Sequence, residues 1–378
     1  MNKPVRIGID TRDLKLATTG TKTYLSELLK SIKNSNVEHY SIHEFGSIWK
    51  PYWGKNIIGK IYEHINFLIW KQFTLPLKTF LSNSDALICT DYYLPLLKIK
   101  AKHIVVFHDA LFFDHPSYYH PAWLKWFKFI SLNAAKKADA IIVPSVFSLS
   151  RLSIFLPLLK QKMHVIYQGP KTIEKVIAPS LATQTALDNI GNIPFLLHVG
   201  GLEKRKNIPF LIKALHEVRK SKNIKLLLVG RPNPKIYNNS HQEIIETIKN
   251  LNLENDVHFT GYVPDEDLPF IYKRAMAYIL PSTYEGFGIP ILEGFQYHLP
   301  VIVANNSCLT EIGADAVSTF SPFHLNELVD SINELLENPI SRNSLIEKGN
   351  HRLTQFNWDK SAADYLHIID NITKSNAN

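Results

Sequence analysis

The chain has 378 residues, 45% of them hydrophobic and 20% charged, with a formal net charge of +8. At ~150 residues per domain this length predicts two domains, and the composition excludes disorder, a collagenous repeat and a coiled coil. The charge is uneven: up to Lys175 there are 24 Lys and Arg against 12 Asp and Glu, and afterwards 18 against 22, with five of the six Trp in the basic part. A basic, aromatic half suits an anionic partner, whether nucleic acid, an anionic membrane surface or a phosphorylated small molecule; the plain alternative is a basic soluble surface. No apolar run reaches the ~18 residues of a spanning helix, and Met1-Asn2-Lys3-Pro4 leads directly into a strand-like segment. Cys89 and Cys308 stand far apart with no metal-ligand spacing, which predicts two buried thiols in a reduced, cytosolic compartment.

In chain order, the first half offers strand candidates at Val5–Asp10, Ala86–Cys89, Ile104–Phe107, Ala140–Val143 and Val165–Tyr167. The second half offers them at Phe195–Val199, Lys225–Val229, Val257–Phe259, Ala277–Leu280 and Val301–Val303. These are near-continuous hydrophobic runs, as expected of strands buried on both faces of a parallel sheet, and helical periods alternate with them. The prediction is an α/β protein with two Rossmann-like, doubly wound domains facing each other across a cleft. The boundary is expected between Gly169 and Asn192, where no strand pattern occurs. Residues from Trp358 onward read as an amphipathic closing helix capped by Asn357.

Four segments could carry chemistry. After the first strand come Asp10-Thr11-Arg12 and then Thr19-Gly20-Thr21-Lys22, where a glycine allows close backbone approach and the plain alternative is a helix cap. The strand ending at Phe107 leads into His108-Asp109, placing an imidazole for substrate hydrogen bonding or proton transfer, or for a purely structural role. Gly200-Gly201-Leu202-Glu203-Lys204-Arg205-Lys206 sets cations just before a helix, where a phosphate would sit, yet neither a Walker A nor a dinucleotide pattern is present. Glu285-Gly286-Phe287-Gly288-Ile289-Pro290, with Glu293, brackets an N–H-rich turn with two carboxylates. That arrangement suits polyol recognition, although Glu293 also reads as an ordinary helical acid.

Taken in order, these segments resemble the retaining nucleotide-sugar glycosyltransferases of family four, with the two-domain GT-B architecture. Val143-Pro144-Ser145, Gly261-Tyr262-Val263-Pro264 and Phe356-Asn357-Trp358 extend the resemblance over essentially the whole chain. It implies an N-terminal acceptor domain of residues 1–170 plus 358–378, its last helix crossing back, and a donor domain of residues 171–357. It implies that Glu293 holds the donor ribose, that Glu285 with Gly286, Phe287 and Gly288 holds the transferred sugar, and that Arg205 and Lys206 bind the diphosphate. His108 would contact the sugar, and Gly20, Thr21 and Lys22 would lie on the phosphate and acceptor side. Many members carry an Arg where this chain has Gly201, which leaves the phosphate clamp to Arg205 and Lys206. Lys22 replaces a small residue and would bias acceptor choice.

The expected activity is retaining transfer of a hexose, of mannose or rhamnose type, from a nucleoside-diphosphate sugar to a saccharide or lipid-linked saccharide acceptor in surface polysaccharide synthesis. No metal and no cofactor are expected beyond the donor itself. A nucleotide-sugar epimerase is the nearest alternative, and a basic nucleic-acid-binding protein ranks below it because no recognisable nucleic-acid motif is present. The expected location is cytoplasmic and peripheral on the inner face of the membrane. Trp49-Lys50-Pro51-Tyr52-Trp53 and Trp123–Phe129, which mix aromatic and basic residues, are the predicted contacts with an anionic surface.

Overall fold

The structure is a computed structural model that describes residues 3–16, 20–35, 38–47, 57–97, 99–173, 176–231, 237 and 239–374. The chain divides into two compact units. The first comprises Met1–Pro116, Pro121–Gln168 and Asn357–Asn378, and the second Ser117–His120 with Gly169–Phe356.

The first unit holds a six-stranded parallel sheet built from β1 (Val5–Asp10), β2 (Tyr40–Phe45), β3 (Ala86–Cys89), β4 (Lys102–Val106), β5 (Ala140–Val143) and β6 (Met163–Val165). Their order is β2-β1-β3-β4-β5-β6. The chain leaves β1 towards one edge and returns to build outward from β3, so the topological switch point lies between the ends of β1 and β3. Ile7, Ile9, Ile88, Ile104, Val106 and Ile142 form one face of the core beneath the helix Gly20–Asn34. Across that helix lies the closing helix Trp358–Lys374, whose Trp358, Ala362, Tyr365 and Ile369 join the same cluster. Tyr24 and Tyr365 share a hydroxyl–hydroxyl bond of 2.6 Å, and Ser361 Oγ donates to the Tyr167 carbonyl at 2.6 Å. Asn357 caps the helix, its Oδ1 accepting from the Asp359 N–H at 2.7 Å.

The second unit holds β7 (Phe195–Val199), β8 (Lys225–Val229), β9 (Val257–Gly261), β10 (Ala277–Leu280), β11 (Val301–Ala304) and β12 (Val317–Phe320), all parallel, in the order β12-β11-β10-β7-β8-β9. Its switch point lies between β7 and β10. The glycines that end β7 and β8 are required by close approach: a Cβ on Gly230 would sit 1.9 Å from the Gly200 carbonyl oxygen.

Sequence and structure part company at the edges. β2 and β12 were not expected, because each carries polar residues and is only partly buried, so neither makes a continuous apolar run. The strand expected at Val165–Tyr167 begins earlier, at Met163, and ends at Val165. Cys89 and Cys308 are both buried thiols outside any disulfide.

Candidate active site

In the second unit the loops after β7 and β10 meet at the switch point. After β7 the chain makes a 3₁₀ turn, Lys204–Lys206, and enters the helix Ile208–Arg219 through Asn207, which holds a left-handed conformation. The Arg205 carbonyl accepts from the Thr283 N–H at 2.7 Å, and Arg205 Nη1 donates to the Tyr284 carbonyl at 3.2 Å, which ties the two loops together. Their charged side chains converge on one carboxylate. Arg205 Nη1 lies 2.7 Å from Glu285 Oε2, and Lys206 Nζ lies 2.5 Å from Glu285 Oε1. Arg205 Nε turns to Glu203 Oε2 at 2.8 Å.

Glu285 is buried, which by itself would raise its pKa, but the two cations overcome this and hold the carboxyl at about 2. Burial and the Arg205 charge pull the Lys206 ammonium below its usual range. β10 stops at Leu280, and Glu285 sits in the loop beyond it. Its N–H donates to Ser307 Oγ at 3.2 Å and its carbonyl accepts from Cys308 Sγ at 3.2 Å. The turn Gly286-Phe287-Gly288 then leads into the helix Ile289–Gln296, with Gly288 at φ 92° as the N-cap and Pro290 in the first turn.

Glu293 lies past the first turn of that helix and is buried. Its Oε2 accepts from Tyr272 Oη at 2.7 Å, and burial raises its pKa despite this bond and the nearby Lys171. The two glutamates therefore differ in kind. Glu285 is an anion neutralised by cations in contact with it, and Glu293 is a buried carboxyl bonded to a tyrosine hydroxyl.

A further residue belongs here that sequence reasoning did not single out. His198, fully buried near the end of β7, binds the Ile279 carbonyl through Nδ1 at 3.0 Å, which fixes Nδ1 as the protonated nitrogen. Its Nε2 is buried without a hydrogen-bond partner. A Cβ on Gly200 would lie 3.4 Å from that nitrogen and 3.8 Å from Lys206 Nζ, so the imidazole edge borders the cation loop. Burial and Lys206 lower its pKa to about 4. The only signal in the sequence was its place beside the glycine pair.

In the first unit, charges gather at the switch point of the other sheet. Asp10, at the end of β1, accepts from Trp70 Nε1 at 3.1 Å and from the Arg12 N–H at 3.1 Å, and pairs with Lys71 Nζ at 2.6 Å. Lys71 also meets Asp91 Oδ1 at 2.6 Å just beyond β3. Burial opposes the Lys71 charge, but Asp10 and Asp91 more than offset it and raise its pKa. Burial, with Asp13 and Asp10 nearby, raises Asp91 to about 7.

His108 follows β4, and its Nε2 donates to the Thr90 carbonyl at 2.7 Å while its ring meets Tyr24 and Tyr92 edge-on. Burial lowers its pKa to about 4. At neutral pH this imidazole is uncharged, with Nδ1 as an acceptor for a hydroxyl proton. Gly20 opens the helix Gly20–Asn34 where an added Cβ would meet nothing within 4 Å; Thr21 is half-buried and Lys22 exposed. Within the second unit the structure thus joins Arg205, Lys206 and Glu285 directly. Gly286, Phe287 and Gly288 connect them to Glu293, while His108, Gly20, Thr21 and Lys22 belong to the first unit. Among the described residues no group of three or more His, Cys, Asp or Glu could hold a metal ion.

The family model of the glycosyl transferases group 1 matches residues 185–352, which include Arg205, Lys206, Glu285 and Glu293. The O-antigen chain mannosyltransferase B of Escherichia coli is 27% identical over 282 residues, covering 71% of this chain and 70% of that protein. Among solved structures, the sucrose-phosphate synthase of Thermosynechococcus elongatus matches 98% of this chain and all of its own, with a TM-score of 0.75 at 18% identity. Anabaena Alr3699/HepE, solved with UDP and glucose, matches 97% of this chain and all of its own, with a TM-score of 0.68 at 16% identity. Residues 185–352 thus match the glycosyl transferases group 1, and the pair of six-stranded parallel sheets has the two-domain α/β fold of these glycosyltransferase structures.

Proposed function

We propose that the chain transfers a hexose of the mannose type from a nucleoside-diphosphate sugar to a saccharide or lipid-linked saccharide acceptor during surface polysaccharide assembly, with retention at the anomeric carbon. The observation that carries this reading is the buried Glu285–Arg205–Lys206 cluster at the second switch point. Two cations on one carboxylate form an anion site that already contains an anion. When a diphosphate arrives, Arg205 and Lys206 have a second set of oxygens to share, and Glu285 is freed to accept from sugar hydroxyls. The similarity to an O-antigen mannosyltransferase supports the sugar and the pathway class. The neighbour solved with UDP and glucose supports a nucleotide-sugar donor.

In this reading Glu293 accepts from the ribose hydroxyls, its carboxyl held by Tyr272. The N–H groups of the Gly286-Phe287-Gly288 turn bind the sugar. Arg205 and Lys206 stabilise the leaving diphosphate as the glycosidic bond breaks, usually the largest electrostatic contribution to such a step. The acceptor hydroxyl then attacks from the face the diphosphate leaves, passing its proton to a phosphate oxygen. His108, neutral and with Nδ1 free of a proton, accepts from a sugar hydroxyl and does not act as an acid.

Thermal stabilisation by GDP- and UDP-sugars tests the donor, since a ligand at 100 times its dissociation constant adds ~2.7 kcal/mol. NMR of the product from the stabilising donor and a lipid-linked acceptor tests the stereochemistry. An α-linked product from an α-linked donor is expected. Inversion, or an epimerised donor formed without acceptor, would overturn the reading.

A further inference from the structure

The segment Ile57–Leu81 runs as one rod: the helix Ile57–Ile69, a π-helical turn Trp70–Thr74 and the helix Leu75–Leu81. One side of the rod is held by the unit. Trp70 and Lys71 are each 1% exposed and bonded to Asp10, and Leu75, Pro76 and Thr79 are buried. The other side is a row of large apolar side chains in water: Ile61, Ile65, Leu68, Ile69, Phe73, Leu77, Phe80 and Leu81, from 38% exposed at Leu68 to 71% at Phe80. The spacing follows the helical repeat, and the wider π turn carries the row from one helix to the next. At ~1.5 Å per residue the rod is roughly 37 Å long. An exposed apolar face of this extent marks an interaction site in a folded protein.

Charge identifies the occupant. The neighbouring helix Pro121–Lys137 meets the rod through Trp126, whose ring lies 6.0 Å from His64 and 6.5 Å from Phe67. Besides the buried Lys71, residues 57–81 and 121–137 together carry six lysines and one acid, Glu63, which pairs with Arg12 at 3.5 Å. The whole first unit carries 24 Lys and Arg against 14 Asp and Glu. A second copy seated on this face would bring two such basic surfaces together, whereas an anionic bilayer complements both the apolar row and the lysines around it.

We propose that the rod Ile57–Leu81 is a membrane-docking surface that lies in the headgroup region of an anionic bilayer, its apolar row inserted and the flanking lysines against lipid phosphates. It lies on the bilayer and does not cross it, as no described helix is long and apolar enough to span a membrane. This relocates the contact expected from the sequence. In Trp123–Phe129, Leu124 and Phe127 are buried in the unit, with Trp123 and Phe129 exposed; Trp49–Trp53 lies outside the described residues.

The test is flotation of the full chain with phosphatidylcholine vesicles, with and without phosphatidylglycerol, at low and high salt. The chain should float with the anionic vesicles only and should be released by salt. Ile65→Ser/Phe73→Ser/Leu77→Ser alters exposed positions and should keep the wild-type melting profile while lowering partition at least ~10-fold. Lys125→Glu, which leaves the apolar row intact, should lower it about fivefold or more, the effect of one lysine near an anionic surface. Equal recovery with neutral and anionic vesicles would overturn the proposal, as would unchanged flotation of both variants. A dimer in light scattering that the triple variant converts to monomer would assign the face to self-association instead.

Discussion

Replacing Glu285 by Gln removes the carboxylate that both Arg205 and Lys206 contact while keeping the shape of the side chain. A carboxyl moved from its ordinary 4.5 to about 2 stabilises the folded state at neutral pH. The amount is roughly 3 kcal/mol, since each tenfold change in proton affinity is worth about 1.4 kcal/mol. Loss of one partner from a buried pair gives an independent figure of about 3–5 kcal/mol. Arg205 retains Glu203, so most of the uncompensated charge falls on buried Lys206. Differential scanning calorimetry without ligand should show the transition of the second unit lowered by roughly 6–12 °C, at about 2–4 °C per kcal/mol for a unit of this size. The sign with pH is fixed by the lowered pKa. The contribution of Glu285 is complete above pH 4.5 and is lost as pH falls towards 2, so wild type should lose its advantage over the variant in that window. Titration calorimetry with nucleoside diphosphate should find binding to Glu285→Gln no weaker than wild type, because the cations no longer have a competing carboxylate, while transfer slows by ~10²-fold or more. A variant that melts with wild type, or that loses diphosphate affinity tenfold, would refute the argument.

Four further outcomes are expected. Glu293→Gln should leave stability nearly unchanged but raise the donor KM and weaken free nucleoside diphosphate binding, since the proposed ribose contact is made equally before and during reaction; steady-state kinetics and calorimetry check this. His198 and His108 are both held at about 4 against an ordinary 6.5. Their neutral forms stabilise the fold fully above pH 6.5, and as pH falls towards 4 each should cost roughly 3 kcal/mol, a dependence that His198→Gln should flatten in calorimetric melts of the second unit. Tyr365→Phe leaves the buried Tyr24 hydroxyl without its partner and should destabilise the first unit by about 1–2 kcal/mol in urea unfolding. Gly230→Ala forces a Cβ against the Gly200 carbonyl, so soluble yield or melting temperature should drop sharply, and nucleotide affinity should fall with the displaced loop.

The interior strands were legible because burial on both faces writes an uninterrupted apolar run, as in Leu226-Leu227-Leu228-Val229. The edge strands were not. In Tyr40–Phe45 the side chains are mostly half-buried, so Ser41, His43 and Glu44 break the run without breaking the strand. In the candidate site, the residue types of the cation loop and of the Glu285 turn could be read from the chain. Their meeting could not, because it depends on β7 and β10 being neighbours across some 80 positions of sequence. The Lys71 cluster was hidden for a different reason. A lysine in an apolar helical period reads as a solvated side chain, and only the π turn that carries Lys71 beside Trp70 brings it inward to Asp10 and Asp91.

The returning helix Trp358–Lys374 also fixes an order of assembly during synthesis. Its Trp358, Tyr365 and Ile369 complete the apolar cluster that Tyr24, Leu25 and Leu28 begin, so the first unit is finished by residues made after Gly169–Phe356. The stretch Gly169–Phe356 emerges in between as an uninterrupted length of chain with its own core. At ~5–20 residues per second that stretch takes on the order of 10–40 s to make. Throughout that interval the sheet covers one side of the helix Gly20–Asn34, but the side that meets Trp358–Lys374 has no cover from its own chain. The second unit can close first, and the nascent first unit is the part exposed to chaperones and to aggregation.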